Sequence, residues 1–266
     1  MNTTHLINTA IQAAVEGGKA ILGIYNDPDA DFNIERKADN SPLTIADKAS
    51  HNIIKEILKT TNIPVLSEEG KDIPYEIRKD WETFWLTDPL DGTKEFIKRN
   101  DEFTVNIALI KNNNPVLGII YVPVSGILYA GEKEFGAWKL ENVDEAVTAF
   151  NIEEEGVQLP LGKDHKGYKV AGSRSHLNDE TQKYVEGLKD VHTKVEMVSK
   201  GSSLKICMVA EGTADEYPRF GPTMEWDTAA GHAIANAAGK KVWHTDLSGE
   251  LTYNKKNLLN PYFIVK

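Results

Sequence analysis

The chain has 266 residues and carries 30 Lys and Arg against 40 Asp and Glu, a formal charge of −10, with 41% hydrophobic residues and one cysteine. That is enough chain for a substantial core in one large or two modest domains. The acidic balance excludes a general nucleic-acid-binding surface, which needs clustered Lys and Arg, and Cys207 alone forms neither an internal disulfide nor a thiolate zinc site.

No charged segment leads into an apolar one at the start, so no secretion signal is expected. Thr3 or Thr4 is placed to cap a first helix in which Leu6, Ala10, Ala13, Gly17, Ile21 and Ile24 recur at three- and four-residue spacing, up to the Asn26-Asp27-Pro28 breaker. Thr44 is expected to cap a second helix with Ile53, Ile54, Ile57 and Leu58 as its buried stripe, ending near Thr60-Thr61-Asn62. Residues 63–66 read as a short strand. A second, aromatic-rich strand over 83–87 is expected to stop at the turn sequence Asp88-Pro89-Leu90-Asp91-Gly92. The β-rich runs 103–110, 116–124 and 127–130 predict an antiparallel meander, and 116–124 is too short to span a bilayer and contains Pro123. The acidic, irregular stretch 141–166 marks a boundary between approximate subdomains 1–150 and 151–266. Beyond it, a strand over 168–171 is followed by helices near 179–188, 202–210 (stopped by Gly212) and 226–238 (stopped by Gly239). The whole predicts a layered α/β or α+β enzyme domain.

Gly-rich phosphate loops, dinucleotide-binding fingerprints and a Gly-x-Ser-x-Gly elbow are all absent, and the seven histidines are scattered. Carboxylates remain. Asp88 and Asp91 lie three residues apart in a Pro/Gly turn that lets both side chains and the Leu90 carbonyl point at one spot, an all-oxygen set suited to a hard cation such as Mg²⁺. Thr93 is expected to begin a helix whose free amides can hold an anion. Glu68 and Glu69 follow a strand and would repel each other unless solvated or bound to a cation. Asp227 sits in the first turn of its helix, and Thr44-Ile45-Ala46-Asp47 approximates a capping box. Each feature alone also fits a cap, an ordinary turn or an exposed acidic loop, and the small residues Ala229-Ala230-Gly231 fit close helix packing. Only their conjunction discriminates.

Together, Ser67-Glu68-Glu69-Gly70, Asp88-Pro89-Leu90-Asp91-Gly92-Thr93 and Trp226-Asp227-Thr228-Ala229-Ala230-Gly231 resemble the three signatures of the inositol monophosphatase superfamily, metal-dependent and lithium-sensitive phosphatases. The resemblance covers essentially the whole chain. It implies a single catalytic domain over 1–266, an αβαβα sandwich with two mixed or antiparallel sheets between helices. Further segments are similar to the 3′(2′),5′-bisphosphate nucleotidase branch: Ser41-Pro42-Leu43-Thr44 leading to Asp47, Ser173-Arg174-Ser175-His176, Gly201-Ser202-Ser203-Leu204-Lys205, and the block from Tyr217-Pro218-Arg219 to Glu225. Inositol phosphatases generally lack the Tyr-Pro-Arg block.

What the resemblance implies can be assigned residue by residue. Glu68, Asp88, the Leu90 carbonyl, Asp91 and Asp227 correspond to ligands of two or three Mg²⁺ ions, and Asp47 to an acid near an additional ion and its water. Thr93, paired with Glu68 or Asp47, would orient the attacking water. The Gly92 and Thr93 amides would contact the hydrolysed phosphate, while Arg174, His176, Ser202, Lys205 and Arg219, with Asp227, would contact the nucleotide. The implied reaction is direct hydrolysis of 3′-phosphoadenosine 5′-phosphate to AMP and phosphate, without a phosphorylated protein, disposing of a by-product of sulfate assimilation. The alternatives are an inositol-1-phosphate phosphatase with the same ligands around a polyol pocket, and a catalytically silent sensor of nucleotide or magnesium. The sensor would not need both metal ligands and a water-orienting threonine. The resemblance further implies a cytoplasmic enzyme, monomeric or homodimeric, without a transmembrane segment; relatives also admit peripheral attachment to the inner membrane. A small nucleotide, not a nucleic-acid polymer, is the expected partner, because bound magnesium inverts the local sign of an acidic centre.

Overall fold

The first helix, α1 (Thr3–Tyr25), is capped by Asn2, whose side-chain oxygen accepts the Thr4 amide at 3.1 Å. Thr3 and Thr4 are already helical, so the cap falls one residue earlier than the threonines suggest. The computed structural model describes residues 2–36, 42–143, 146–162, 166–172 and 178–266. A small antiparallel pair, β1 (Glu35–Arg36) and β2 (Pro42–Leu43), leads into α2 (Ile45–Lys59). Thr44 caps α2 as expected. Asp47 closes a capping box there, accepting the Thr44 amide at 2.7 Å.

A seven-stranded sheet follows: β3 (Val65–Ser67), β4 (Thr83–Asp91), β5 (Thr104–Lys111), β6 (Asn114–Val122), β7 (Ile127–Glu132), β8 (Gly136–Leu140) and β9 (Val157–Gln158), in that spatial order. The β3–β4 pair is parallel, bridged by a connection that includes the short α3 (Tyr75–Arg78); every other pair is antiparallel, so the expected meander is present. Two expectations are corrected. The second strand does not stop at Asp88 but runs to Asp91. Asp88 pairs with Asn106 and Asp91 with Thr104, so three steps on β4 oppose two on β5. That one extra residue is a β-bulge, which accommodates Pro89 where a regular ladder would not. The stretch 141–166 is also less irregular than its composition suggests. It holds α5 (Ala149–Glu155), capped by Thr148 with Asn151, and β9, which extends the same sheet.

Alternation along the strands buries both faces of the sheet. Trp85, Ile107 and Ile119 pack with Ile11, Ile21 and Ile54 under α1 and α2. Phe84, Leu86 and Ile120 face the other way, onto α7 (Leu204–Glu211) and α8 (Glu225–Ala237) through Ile206, Ala230 and Ile234. Beyond these helices lies a second set of strands. β10 (Tyr168–Gly172) pairs in parallel with β11 (Val195–Ser199), and β14 (Phe263–Val265) lies antiparallel between β12 (Tyr217–Arg219) and β13 (Val242–His244). A parallel bridge between Val170 and Glu216 joins the two pieces, and α6 (Asp179–Leu188) covers β12 from outside. The layers are therefore helix, sheet, helix, sheet, helix, the αβαβα arrangement expected. Among the described residues, no helix is long and apolar enough to cross a membrane.

Candidate metal and phosphate site

Strand ends and helix starts carry the acids to one place. Glu68 follows β3, and its amide donates to the Thr87 carbonyl of β4 at 3.1 Å, which sets the Glu68 side chain beside the bulge. Asp88 opens the bulge and is 2% exposed; its Oδ1 accepts the Leu90 amide at 3.0 Å. Asp227 lies in the first turn of α8 and accepts the Met224 amide at 2.8 Å. One oxygen from each of Glu68, Asp88 and Asp227 lies within 4.8 Å of the others.

Burial first, then the neighbouring carboxylates Glu68, Asp91 and Asp227, push Asp88 well above the ordinary carboxylate range. Burial, then Asp91 and Glu68, push Asp227 up in the same way. Three converging acids with only oxygen donors, two of them disfavoured as anions, fit a hard divalent cation, whose charge relieves both causes.

Asp91 stands beside this triplet rather than within it. Its Oδ2 accepts the Ser202 hydroxyl at 2.6 Å and the Asn106 amide at 3.3 Å. Thr104 extends the network, with its Oγ 2.5 Å from Ser202 Oγ and 2.9 Å from Ser203 Oγ. Ser202 is thus engaged with an acid of the site, and its backbone is left-handed, φ +50°. Sequence reasoning assigned no role to Thr104, Asn106 or Ser203; the alternation of Thr104 and Asn106 in an otherwise apolar β5 signals the first two, and Ser203 sits at the start of α7.

Asp47, 1% exposed, serves two purposes. Its Oδ2 holds the Thr44 amide and hydroxyl at 2.7 and 2.6 Å, while Oδ1 accepts the Thr93 hydroxyl at 3.2 Å. Thr93 opens the short helix α4 (Thr93–Ile97) after Gly92, which takes φ +92° to turn the chain out of the bulge. The inner face of α2 also carries Ser50, which donates to the Pro89 carbonyl at 2.8 Å, and His51, whose Nδ1 lies 2.8 Å from Ser67 Oγ. Asp47, Ser50 and His51 follow three- and four-residue spacing, so one helix face supports the bulge, the end of β3 and Thr93 together. Ser50 and His51 were masked in the sequence by the aliphatic stripe.

A cavity of about 380 Å³ opens beside the triplet, reaching it at Asp227 and bordered also by Asp91, Lys94, Lys98, Lys205 and Arg219. Lys205 is 6% exposed and donates to the Ser202 and Lys200 carbonyls at 2.5 and 3.2 Å, and burial lowers its pKa to about 8. Arg219 donates to the Pro222 carbonyl at 3.0 Å through Nη2, while its buried Nε has no hydrogen-bond partner. Arg174 and His176 lie outside the described residues. The arrangement places oxygen donors for a cation against nitrogen donors for an anion, the pairing that hydrolysis of a phosphate ester requires.

The inositol monophosphatase family model matches residues 2–262. The chain is 46% identical over 264 residues to the 3′(2′),5′-bisphosphate nucleotidase CysQ of Escherichia coli (strain K12), spanning 98% of this chain and 99% of the relative. It is 47% identical over 263 residues to the CysQ nucleotidase of Salmonella typhimurium, with the same coverage. The crystal structure of CysQ from Bacteroides thetaiotaomicron, described as a bacterial member of the inositol monophosphatase family, superposes with a TM-score of 0.92 at 53% identity, covering 99% of this chain and 97% of that one. SuhB from Bartonella henselae, at 23% identity and a TM-score of 0.75, shares the fold.

Proposed function

The chain belongs to the inositol monophosphatase family, a metal-dependent family, and from that premise we propose that it is a 3′(2′),5′-bisphosphate nucleotidase hydrolysing 3′-phosphoadenosine 5′-phosphate to AMP and phosphate. One observation carries the reading at the level of chemistry: the acidic triplet borders a cavity that presents the buried cation of Lys205 and the unpartnered Nε of Arg219.

Glu68, Asp88, the Leu90 carbonyl, Asp91 and Asp227 would hold two or three Mg²⁺ ions, with Asp47 near the third. Bound there, the ions supply the positive charge that neutralises the ester oxygens and lowers the pKa of an adjacent water. Thr93 donates its proton to Asp47 at 3.2 Å, so its oxygen lone pairs remain to accept from and orient the attacking water. The Gly92 and Thr93 amides face the phosphate being cleaved. Ser202 and Asn106 fix the rotamer of Asp91, which makes Ser202 a positioning residue in addition to any nucleotide contact. Arg219 and Lys205 bind the nucleotide. Among the described residues, the one serine–histidine pair at the site, Ser67 with His51, braces the end of β3 against α2, and the reaction is a direct attack by water.

Side-by-side rates on 3′-phosphoadenosine 5′-phosphate and inositol 1-phosphate in Mg²⁺ test the reading. A strong preference for the nucleotide is expected, and equal or reversed rates overturn it. In the same assay, Arg219→Ala is expected to lower kcat/KM for the bisphosphate by roughly 10–100-fold, the value of one charge-assisted contact. The effect on inositol 1-phosphate should be smaller, and an equal loss on both removes Arg219 from the nucleotide site.

Lys205 adds a pH dependence. Its ammonium is present at neutral pH and lost as the pH rises through about 8. A bound divalent cation acts in the same direction as burial, because it cancels the help that Asp91 gives the charged form. The pH profile of kcat/KM, which reports the free enzyme, is expected to fall on the alkaline side as this proton leaves. Lys205→Met should be slower throughout and lack that limb. An unchanged limb assigns it to another group.

A further inference from the structure

The segment 98–102, between α4 and β5, builds one wall of the cavity by alternation. Lys98, Asn100 and Glu102 line the cavity. Arg99 and Asp101 are anchored instead at the end of α1. Arg99 Nη1 donates to the Tyr25 carbonyl at 2.5 Å, and its guanidinium lies 5.2 and 5.1 Å from the ring centroids of Tyr25 and Phe32. Asp101 Oδ1 accepts the Tyr25 hydroxyl at 2.7 Å. Tyr25 is itself held, with its ring 5.2 Å from that of Phe96 and 5.0 Å from that of Phe103.

Both anchors are non-glycine residues in the left-handed region, φ +52° for Arg99 and +68° for Asp101. Side chains adopt that backbone at a cost, and such costs gather where a ligand clamp must be held in shape. The far end of the wall is fixed as firmly: Glu102 Oε2 accepts the Gly201 amide at 2.8 Å. Gly201 has to be glycine, since a Cβ there would lie 2.7 Å from the Glu102 carbonyl.

The wall carries charge in a particular place. Lys94 in α4 and Lys98 at its C-cap are four residues apart, both line the cavity, and neither makes an ion pair among the described residues. Lys200 also lines the cavity but already lies 3.4 Å from Glu102 Oε1. Thr93 opens α4 against Asp47, so the start of this helix belongs to the hydrolytic end, and Lys98, five residues on, lies ~7 Å beyond it along the helix axis. A polyol would find hydroxyl partners sufficient there. A cation that makes no ion pair among the described residues, more than one helical turn from the hydrolytic end, suits a second dianion on the same substrate.

We propose that residues 98–102 are the specificity wall of the cavity: Lys98 binds the phosphate that is not cleaved, and Tyr25, Arg99 and Asp101 are positioning residues that hold Lys98 at the required distance. This rests on the nucleotidase reading above. Substrates that share the ester but differ in the second phosphate test it, namely 3′-phosphoadenosine 5′-phosphate and 3′-AMP. Lys98→Ala is expected to lower the ratio of their kcat/KM values about tenfold, mostly through KM for the bisphosphate, and Lys98→Arg to restore much of it. Tyr25→Phe, which removes only the hydroxyl bonded to Asp101, is expected to raise KM for the bisphosphate about threefold while kcat holds within twofold. A ratio unchanged in Lys98→Ala overturns the wall. A lower melting temperature in Tyr25→Phe with KM unchanged reduces the clasp to a structural role and overturns the positioning. If the wild-type enzyme itself shows no preference for the bisphosphate, the nucleotidase reading falls and this proposal with it; a preference that survives in Lys98→Ala overturns the proposal alone.

Discussion

Asp88→Asn is expected to lower turnover by about a thousandfold or more, and at the same time to raise the melting temperature of the metal-free protein. The two effects share one cause. Asp88 is 2% exposed and pushed well above the usual carboxylate range by burial and by Glu68, Asp91 and Asp227. Without a cation, the folded state holds these acids against desolvation and mutual repulsion, so replacing one by a neutral isostere relieves the fold. With a cation, the same carboxylate is a ligand, and its loss removes transition-state stabilisation of about 4 kcal/mol, which is about a thousandfold in rate.

The sign with pH follows from linkage. An acid whose pKa is raised in the fold takes up protons on folding. The metal-free wild type is therefore expected to lose stability as pH rises from the ordinary carboxylate range through the raised values, and Asp88→Asn to lose less. Adding Mg²⁺ should reverse the order by stabilising the wild type more than the variant. Thermal unfolding at several pH values, with EDTA or with Mg²⁺, reads all of this. If Asp88→Asn is less stable than wild type in EDTA, the acidic triplet is not the strained centre described above.

Most of the site was legible because its acids sit where sequence punctuation is strongest. Glu68 follows a short apolar strand, Asp88 and Asp91 flank Pro89, and Asp227 opens a helix stopped by Gly239. Element ends were therefore located even where their form was misjudged. Local propensity, dominated by Pro, Asp and Gly, predicts a turn where the bulge lies. The pairing of Asp91 with Thr104 across the sheet, a tertiary fact, keeps that segment within the strand. Ser50 and His51 were hidden for a related reason: a helix buried against a sheet can carry polar side chains inward when their partners are backbone and hydroxyl groups of the site. The 98–102 wall left no signal at all. Its residues are ordinary polar ones, and the two left-handed positions are not glycines.

The small residues Ala229-Ala230-Gly231 act on the site through packing. Gly118 on β6 and Gly131 on β7 are directly paired across the sheet, and Ala108 on β5 lies opposite Gly118. This row of small residues is the floor under α8. A Cβ on Gly118 would lie 2.1 Å from the Ala230 carbonyl oxygen, and one on Gly131 would lie 2.5 Å from the Ile234 Cα. Both obstacles are backbone and cannot rotate aside, so Gly118→Ala has to lift α8 off the sheet. Overpacking of this kind costs at least about 1–3 kcal/mol, a fall in melting temperature of roughly 2–5 °C or more for a chain this size. Because Asp227 rides on the first turn of α8, the displacement should also weaken metal binding and turnover, with the apparent Mg²⁺ requirement rising before kcat is lost. Gly23→Ala is the control: nothing lies within 4 Å of a Cβ there, and its position in the α1 helix predicts a gain of up to about 1 kcal/mol with activity intact. Wild-type stability and Mg²⁺ dependence in Gly118→Ala would mean that the approach of α8 to the sheet does not set the position of Asp227.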